Sequence, residues 1–224
     1  MILLLLSLAP IAVIILYIYF KDKFEKEPIQ FLFKNFLLGA FLSVIITVFL
    51  SFCIKSVYSL SNPNSIFQQF IKAFFVVSLV EEFSKYIIVK YYAQQNEEFN
   101  EPFDGIVYAV IVSMGFAALE NVLYVFQFGL STGLFRAFTA VPAHATFGIL
   151  MGYFMGKAKF SNKRLTNNLL GLIIATVFHG TYDFFLFINF IPGVAIGAFV
   201  SLIIGVFLAK KAMKIHQENS FFKV

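Results

Sequence analysis

The chain has 224 residues, of which 60% are hydrophobic and 13% charged, well above the roughly 45–50% apolar content of a soluble domain. Its net charge of +5 does not point to nucleic acid, because the basic residues flank apolar stretches. Cys53 is the only cysteine, which excludes an intrachain disulfide and a cysteine-built structural zinc site.

Seven stretches have the roughly 20 mostly apolar residues that a bilayer-spanning helix needs. They run over about 2–20, 31–53, 66–91, 104–128, 135–156, 167–190 and 192–209. The first lacks a basic leading region and a small-residue cleavage signal, so it is expected to be a retained helix rather than a signal peptide. The last two are separated by a turn around Pro192. The expectation is one all-α, polytopic membrane domain over 1–224. With seven crossings, thirteen basic residues fall on one side and three, Lys55, Lys72 and Arg136, on the other. That asymmetry places the N-terminus outside and the C-terminus in the cytoplasm.

The third stretch, "VSLVEEFSKYIIVKYY", places Glu81, Glu82 and Lys85 inside an apolar segment. Glu120, His144, His179 and Asp183 are also intramembrane by this reading. Ionisable groups at such depth face a bundle interior or a wet cavity. Counted from the cytoplasmic helix ends at ~1.5 Å per residue, Glu82 lies at ~13 Å, the two histidines at ~18 Å, and Glu120 and Asp183 at ~24 Å. Four helices therefore deliver polar groups to one slab.

Small residues recur every fourth position beside these groups. They include Gly105, Ala109 and Ser113, then Gly148, Gly152 and Gly156, then Gly171 and Ala175. Such ridges let membrane helices approach closely, so the polar side chains share faces with packing surfaces. A single cluster results, with a cavity expected to open to the outer face or outer leaflet.

Lys85 is three residues after Glu82 and four after Glu81, the spacing of helical ion pairs. Neutralising one carboxylate leaves the other poised as a general base for water, with a lean towards Glu82. Asp183 shares a helix face with His179 and would fix its tautomer. Two hydrolytic chemistries fit: glutamate-activated water with histidine assistance, or metal-assisted hydrolysis with Glu and His ligands. A proton- or cation-coupled transporter uses the same residue types. No H-E-x-x-H, nucleophile-elbow or two-aspartate pattern is present.

Taken in order, "KDKFEKEP", "EEFSK", "FDGIVYAVIVSMGFAALENVLY", "FRAFTAVPAHATFGILMGYFMGKAKF" and "HGTYDF" resemble the PrsW family of bacterial intramembrane proteases. That family is related to the CAAX prenyl endopeptidase and Abi superfamily. The resemblance implies site-1 cleavage of a membrane-anchored anti-sigma factor during envelope stress, in the bacterial plasma membrane. It also implies catalytic roles for Glu81 and Glu82, with Glu120, His144 and His179 at the other polar motif positions. Asp183 joins this catalytic set, while Lys85 and Asn121 are taken as supporting residues.

The sequence departs from the wider superfamily in three places. The basic residue is Lys85, only three after Glu82, where the superfamily has an Arg four after the second Glu; Ala140 stands four before His144 where a Phe would be, and Asp183 ends the last motif. These departures argue against prenyl-protein processing. Likeness of the Glu-Glu helix to the CAAX enzymes favours a metal-free reaction. Zinc is the alternative cofactor, with Glu82, Glu120, His144 and His179 as its ligands. The expected partners are the lipid bilayer and a single-pass membrane substrate, without nucleic acid.

Overall fold

The computed structural model describes residues 2–57 and 60–223, and within them every regular element is helical. The first helix, α1 (Ile2–Lys21), ends in the polar linker 22–28. Pro28, which lacks an N–H and sets φ near −60°, then starts α2 (Ile29–Val57). Inside α2 a π-helical turn at Leu38–Ser43 accompanies the contact of Gly39 with the Val112 backbone.

The third helix, α3, spans 66–93 without interruption. Ser65 caps it, its hydroxyl accepting from the Gln68 N–H at 3.3 Å. π-helical turns at Lys72–Ser78 and Val89–Ala93 bracket the Glu-Glu segment. Helix α4 (Pro102–Phe128) begins at a reciprocal capping box between Glu101 and Asp104 and ends at Gly129, whose φ of 86° suits glycine.

Where one helix over 135–156 is expected from sequence, the structure has two, α5 (Leu130–Phe138) and α6 (Ala140–Lys159). Thr139 breaks the run, with φ −124° and ψ −75°. Pro142 explains the position of the break, because its ring clashes with the carbonyl four residues earlier, at Phe138. The last two helices are α7 (Arg164–Phe187) and α8 (Ile196–Glu218). The connection between them is therefore longer than the turn read from sequence, and α8 runs on to Glu218.

Among the described residues, six helical segments are long and apolar enough to cross a membrane: α1, α2, α4, the α5–α6 run, α7 and α8. The charged residues of α3 set it apart from these six. Helix α4 is the centre of the bundle, buried on all sides from Pro102 to Ala118. Its close neighbour is α6, and the small-residue ridges of the two meet. A Cβ on Gly105 would lie 2.5 Å from the Gly152 carbonyl oxygen, and one on Gly148 would lie 3.1 Å from the Ser113 side chain. Across this seam the Ser113 hydroxyl donates to the His144 carbonyl at 3.1 Å.

Helix α3 is docked by its small polar residues. Ser84 Oγ lies 3.0 Å from Ser43 Oγ and accepts from the Thr47 hydroxyl at 2.9 Å, while Ser78 donates to the Thr176 carbonyl at 3.2 Å. These bonds hold α3 between α2 and α7, with Glu81 and Glu82 turned inward.

Candidate active site

The bundle brings Glu81, Glu82, Lys85, Glu120, His144, His179 and Asp183 together. Glu82 is fully buried, and its Oε1 accepts from Lys85 Nζ at 2.7 Å and from His179 Nδ1 at 2.9 Å. An ionised carboxylate only accepts, so the proton of neutral His179 sits on Nδ1 and its Nε2 carries the lone pair. That Nε2 lies 3.4 Å from Asp183 Oδ2 and 3.9 Å from Glu81 Oε2. Phe147 stacks on the imidazole at 4.9 Å between centroids and holds its plane.

His144 is oriented in the same manner by a different carboxylate. Its Nε2 donates to Glu120 Oε2 at 3.0 Å, leaving the lone pair on Nδ1. Glu120 is itself anchored by Arg136, whose Nη2 donates to the same oxygen at 2.7 Å. Arg136 also donates through Nε to Asn121 Oδ1 at 2.8 Å and lies over the Tyr124 ring at 4.2 Å. Asn121 in turn donates to the Ser7 carbonyl of α1 at 2.8 Å. Asn121 thus links α1 to the arginine.

Arg136 is the site residue missing from the sequence reading, which counted it only among the basic residues of the outer side. A lone arginine in the apolar run "LFRAF" was the available signal. Its partner was hidden because the α5–α6 break, rather than helical spacing, turns Arg136 back onto α4.

Lys85 is the internal cation of the cluster. Besides Glu82, its Nζ lies 3.7 Å from Glu81 Oε2, 3.4 Å from His144 Nδ1 and 4.3 Å from the centre of the Phe116 ring. Four carboxylates (Glu81, Glu82, Glu120 and Asp183) face two fixed cations (Lys85 and Arg136). The surplus of two negative charges matches the requirement of a divalent cation or of protons on the imidazoles.

A cavity of about 440 Å3 opens onto the cluster, and Glu81, Glu120, Arg136, His144, His179 and Asp183 are in its wall. Glu82 lies behind this wall. The cavity therefore meets Glu81 rather than Glu82, the glutamate favoured from sequence as the base. The ligand set also differs from the one read from sequence. Ligand atoms of Glu81, His144 and His179 lie within 4.8 Å of one another. Glu82 and Glu120 instead accept from His179 Nδ1 and His144 Nε2. Glu81 Oε2 is buried without a hydrogen-bond partner. One carboxylate oxygen and two imidazole nitrogens, each ring backed by a second carboxylate, are the donor chemistry of catalytic zinc sites. The residues present fit such a metal.

The chain was compared with known proteins. A family model described as PrsW family intramembrane metalloprotease matches residues 27–210. The chain is 41% identical over 181 residues to Protease PrsW of Oceanobacillus iheyensis, a match covering 80% of each chain. It is 37% identical over 194 residues to Protease PrsW of Clostridioides difficile, covering 83% of this chain and 79% of the relative. It is 35% identical over 182 residues to Protease PrsW of Bacillus subtilis, covering 80% of each. No solved structure matches it. Its apolar helices and these relatives make it a multi-pass peptidase of the bacterial cell membrane. Identity spread over four-fifths of the chain, and a family model covering every residue of the Glu/His cluster, establish that this protein belongs to the PrsW family of intramembrane metalloproteases.

Proposed function

We propose that the chain cleaves a peptide bond in a single-pass, membrane-anchored regulatory protein. The resemblance favours an anti-sigma factor released during envelope stress. The carrying observation is the convergence of Glu81, His144 and His179 at the wall of an open cavity. In this reading α3 is a seventh crossing, the N-terminus is outside, and the cavity faces the outer side. The basic-residue asymmetry supports that orientation.

Glu81, His144 and His179 would hold a divalent metal, which supplies Lewis-acid charge to the scissile carbonyl and acidifies water. The remaining residues orient and balance this set. Glu82 and Glu120 keep each imidazole in the tautomer that presents a lone pair to the centre. Lys85 neutralises Glu82, and Arg136 neutralises Glu120. Asp183 is in the cavity wall with a side chain 14% exposed, placed to take a proton from water and return it to the leaving amine. Phe147 and Phe116 close the inner side against water.

The test uses purified protein in detergent with a tagged single-pass candidate substrate. Wild type is expected to cleave it, and His179→Ala to lose cleavage by at least about 100-fold. A chelator should abolish cleavage in the wild type and added zinc restore it. Equal cleavage by wild type and His179→Ala would overturn the proposed site, and insensitivity to the chelator would overturn the metal. Ion flux in liposomes without cleavage would indicate a transporter instead.

Cavity orientation is checked separately. On a Cys53→Ser background, Thr132→Cys at the cavity wall should react with a membrane-impermeant thiol reagent added to intact cells. Labelling only after the cytoplasmic face is opened would reverse the orientation.

A further inference from the structure

Two stretches that the Glu/His site does not use meet at the opposite end of α4. One is the α1–α2 linker within "KDKFEKEP", and the other is the start of α4, "NEPFDG". Glu120 lies sixteen positions after Asp104 in α4, which places this region ~24 Å along the helix from the active site.

Ligand oxygens of Glu25, Glu27 and Asp104 lie within 4.8 Å of one another. Glu27 is 2% exposed, and it directs into this cluster a carboxylate with no hydrogen-bond partner on either oxygen. Asp22, 1% exposed, also has both oxygens unpartnered, as are Glu25 Oε2, Glu101 Oε2 and Asp104 Oδ1. Asp104 Oδ2 is satisfied, accepting from the backbone N–H groups of Asn100 and Glu101 at 2.6 and 2.7 Å.

The nearby lysine does not compensate these charges through an ion pair. Lys26 turns its ammonium to the backbone carbonyls of Tyr19 and Asp22. Among the described residues none of the five carboxylates has a salt-bridge partner. Burial, reinforced by neighbouring acids, pushes the Glu27 carboxyl up and raises Asp22 to about 7. Five acids gathered without an ion-pair partner call for shared protons or a bound cation.

We propose that Glu25, Glu27 and Asp104, flanked by Asp22 and Glu101, form a site for one hard divalent cation, Mg2+ or Ca2+, that clamps the α1–α2 linker to the start of α4. The donors are all carboxylate oxygens, the chemistry that selects these ions over zinc. Binding would tie together two stretches that are far apart in sequence. The C-terminal part of α8 already reaches this region, with Gln217 donating to the Lys21 carbonyl at 2.5 Å. The site depends only on these residues, so it stands apart from the proteolytic reading.

The experiment is thermal unfolding of the full-length protein in detergent, followed by circular dichroism after removal of metal by EDTA. MgCl2 and CaCl2 are titrated in separate arms, with calorimetry giving affinity and stoichiometry. One of the two ions should bind 1:1 and raise the melting temperature by about 5–10 °C at a hundredfold excess over its dissociation constant. Glu27→Gln and the less buried Glu25→Gln should each weaken binding by at least about tenfold. Glu97→Gln, outside the cluster, and His179→Ala, in the other site, should retain it. Should Glu27→Gln fail to fold, Glu25→Gln still decides. Absence of saturable binding by either ion would overturn the site and leave a proton-sharing cluster. Binding that survives Glu25→Gln and Glu27→Gln would overturn it equally.

Discussion

Lys85→Met is expected to destabilise the protein by about 3–5 kcal/mol, the cost of stranding a buried carboxylate when its partner is removed. Lys85 is 1% exposed, Glu82 is 0% exposed, and their atoms are 2.7 Å apart. Methionine preserves most of the stem volume, so the loss reports on charge rather than on a cavity. Glu82 would keep only the His179 proton, and Glu81 would lose its nearest cation. The double variant Lys85→Met/Glu82→Gln removes both charges of the pair and should recover much of the stability, because a neutral amide needs no counter-ion. Thermal unfolding of both variants beside the wild type measures this. If Lys85→Met melts with the wild type, the ammonium is not what compensates the glutamates.

The second large effect separates the two adjacent glutamates. Glu81→Gln should abolish cleavage, and excess zinc should not rescue it, because the neutral amide no longer presents an anionic oxygen to the imidazoles. Glu82→Gln should lower activity or metal affinity by only about 10–100-fold, the effect of losing a carboxylate that orients a histidine ligand. Excess zinc should recover part of that loss. Activity against zinc concentration for the two variants gives the answer. The opposite ranking, with Glu82→Gln dead and Glu81→Gln rescued, would restore Glu82 as the residue that meets the substrate.

This division between neighbours was not legible in the sequence. Glu81 and Glu82 differ by one helical step of about 100°, and both have Lys85 within ion-pair spacing. Only the placement of α7 decides that His179 Nδ1 faces Glu82 while Nε2 faces Glu81 and Asp183. Arg136 was hidden for a related reason. Its partner Glu120 is on another helix, and the contact depends on the break that Pro142 imposes before α6. The linker carboxylates were equally opaque. In sequence Asp22, Glu25 and Glu27 look like ordinary solvated charges beside lysines, and their burial comes from the start of α4 and the end of α8 closing over them.

What the sequence determined by itself was the class of molecule and which apolar helices carry its polar residues. Apolar run length specifies membrane helices, because unpaired backbone groups in lipid leave a chain few other choices. The ~1.5 Å rise per residue sets the level at which each acid and histidine sits. The four-residue spacing of Gly105, Ala109 and Ser113 and of Gly148, Gly152 and Gly156 marked faces able to approach closely, since only small side chains permit that approach, and in the fold those two faces meet. Tertiary structure decided which ring nitrogen meets which carboxylate, which glutamate reaches the cavity and where the unpaired charge collects. Those outcomes depend on the rotation and tilt of helices about one another, which side-chain packing sets across the whole bundle and no local spacing encodes.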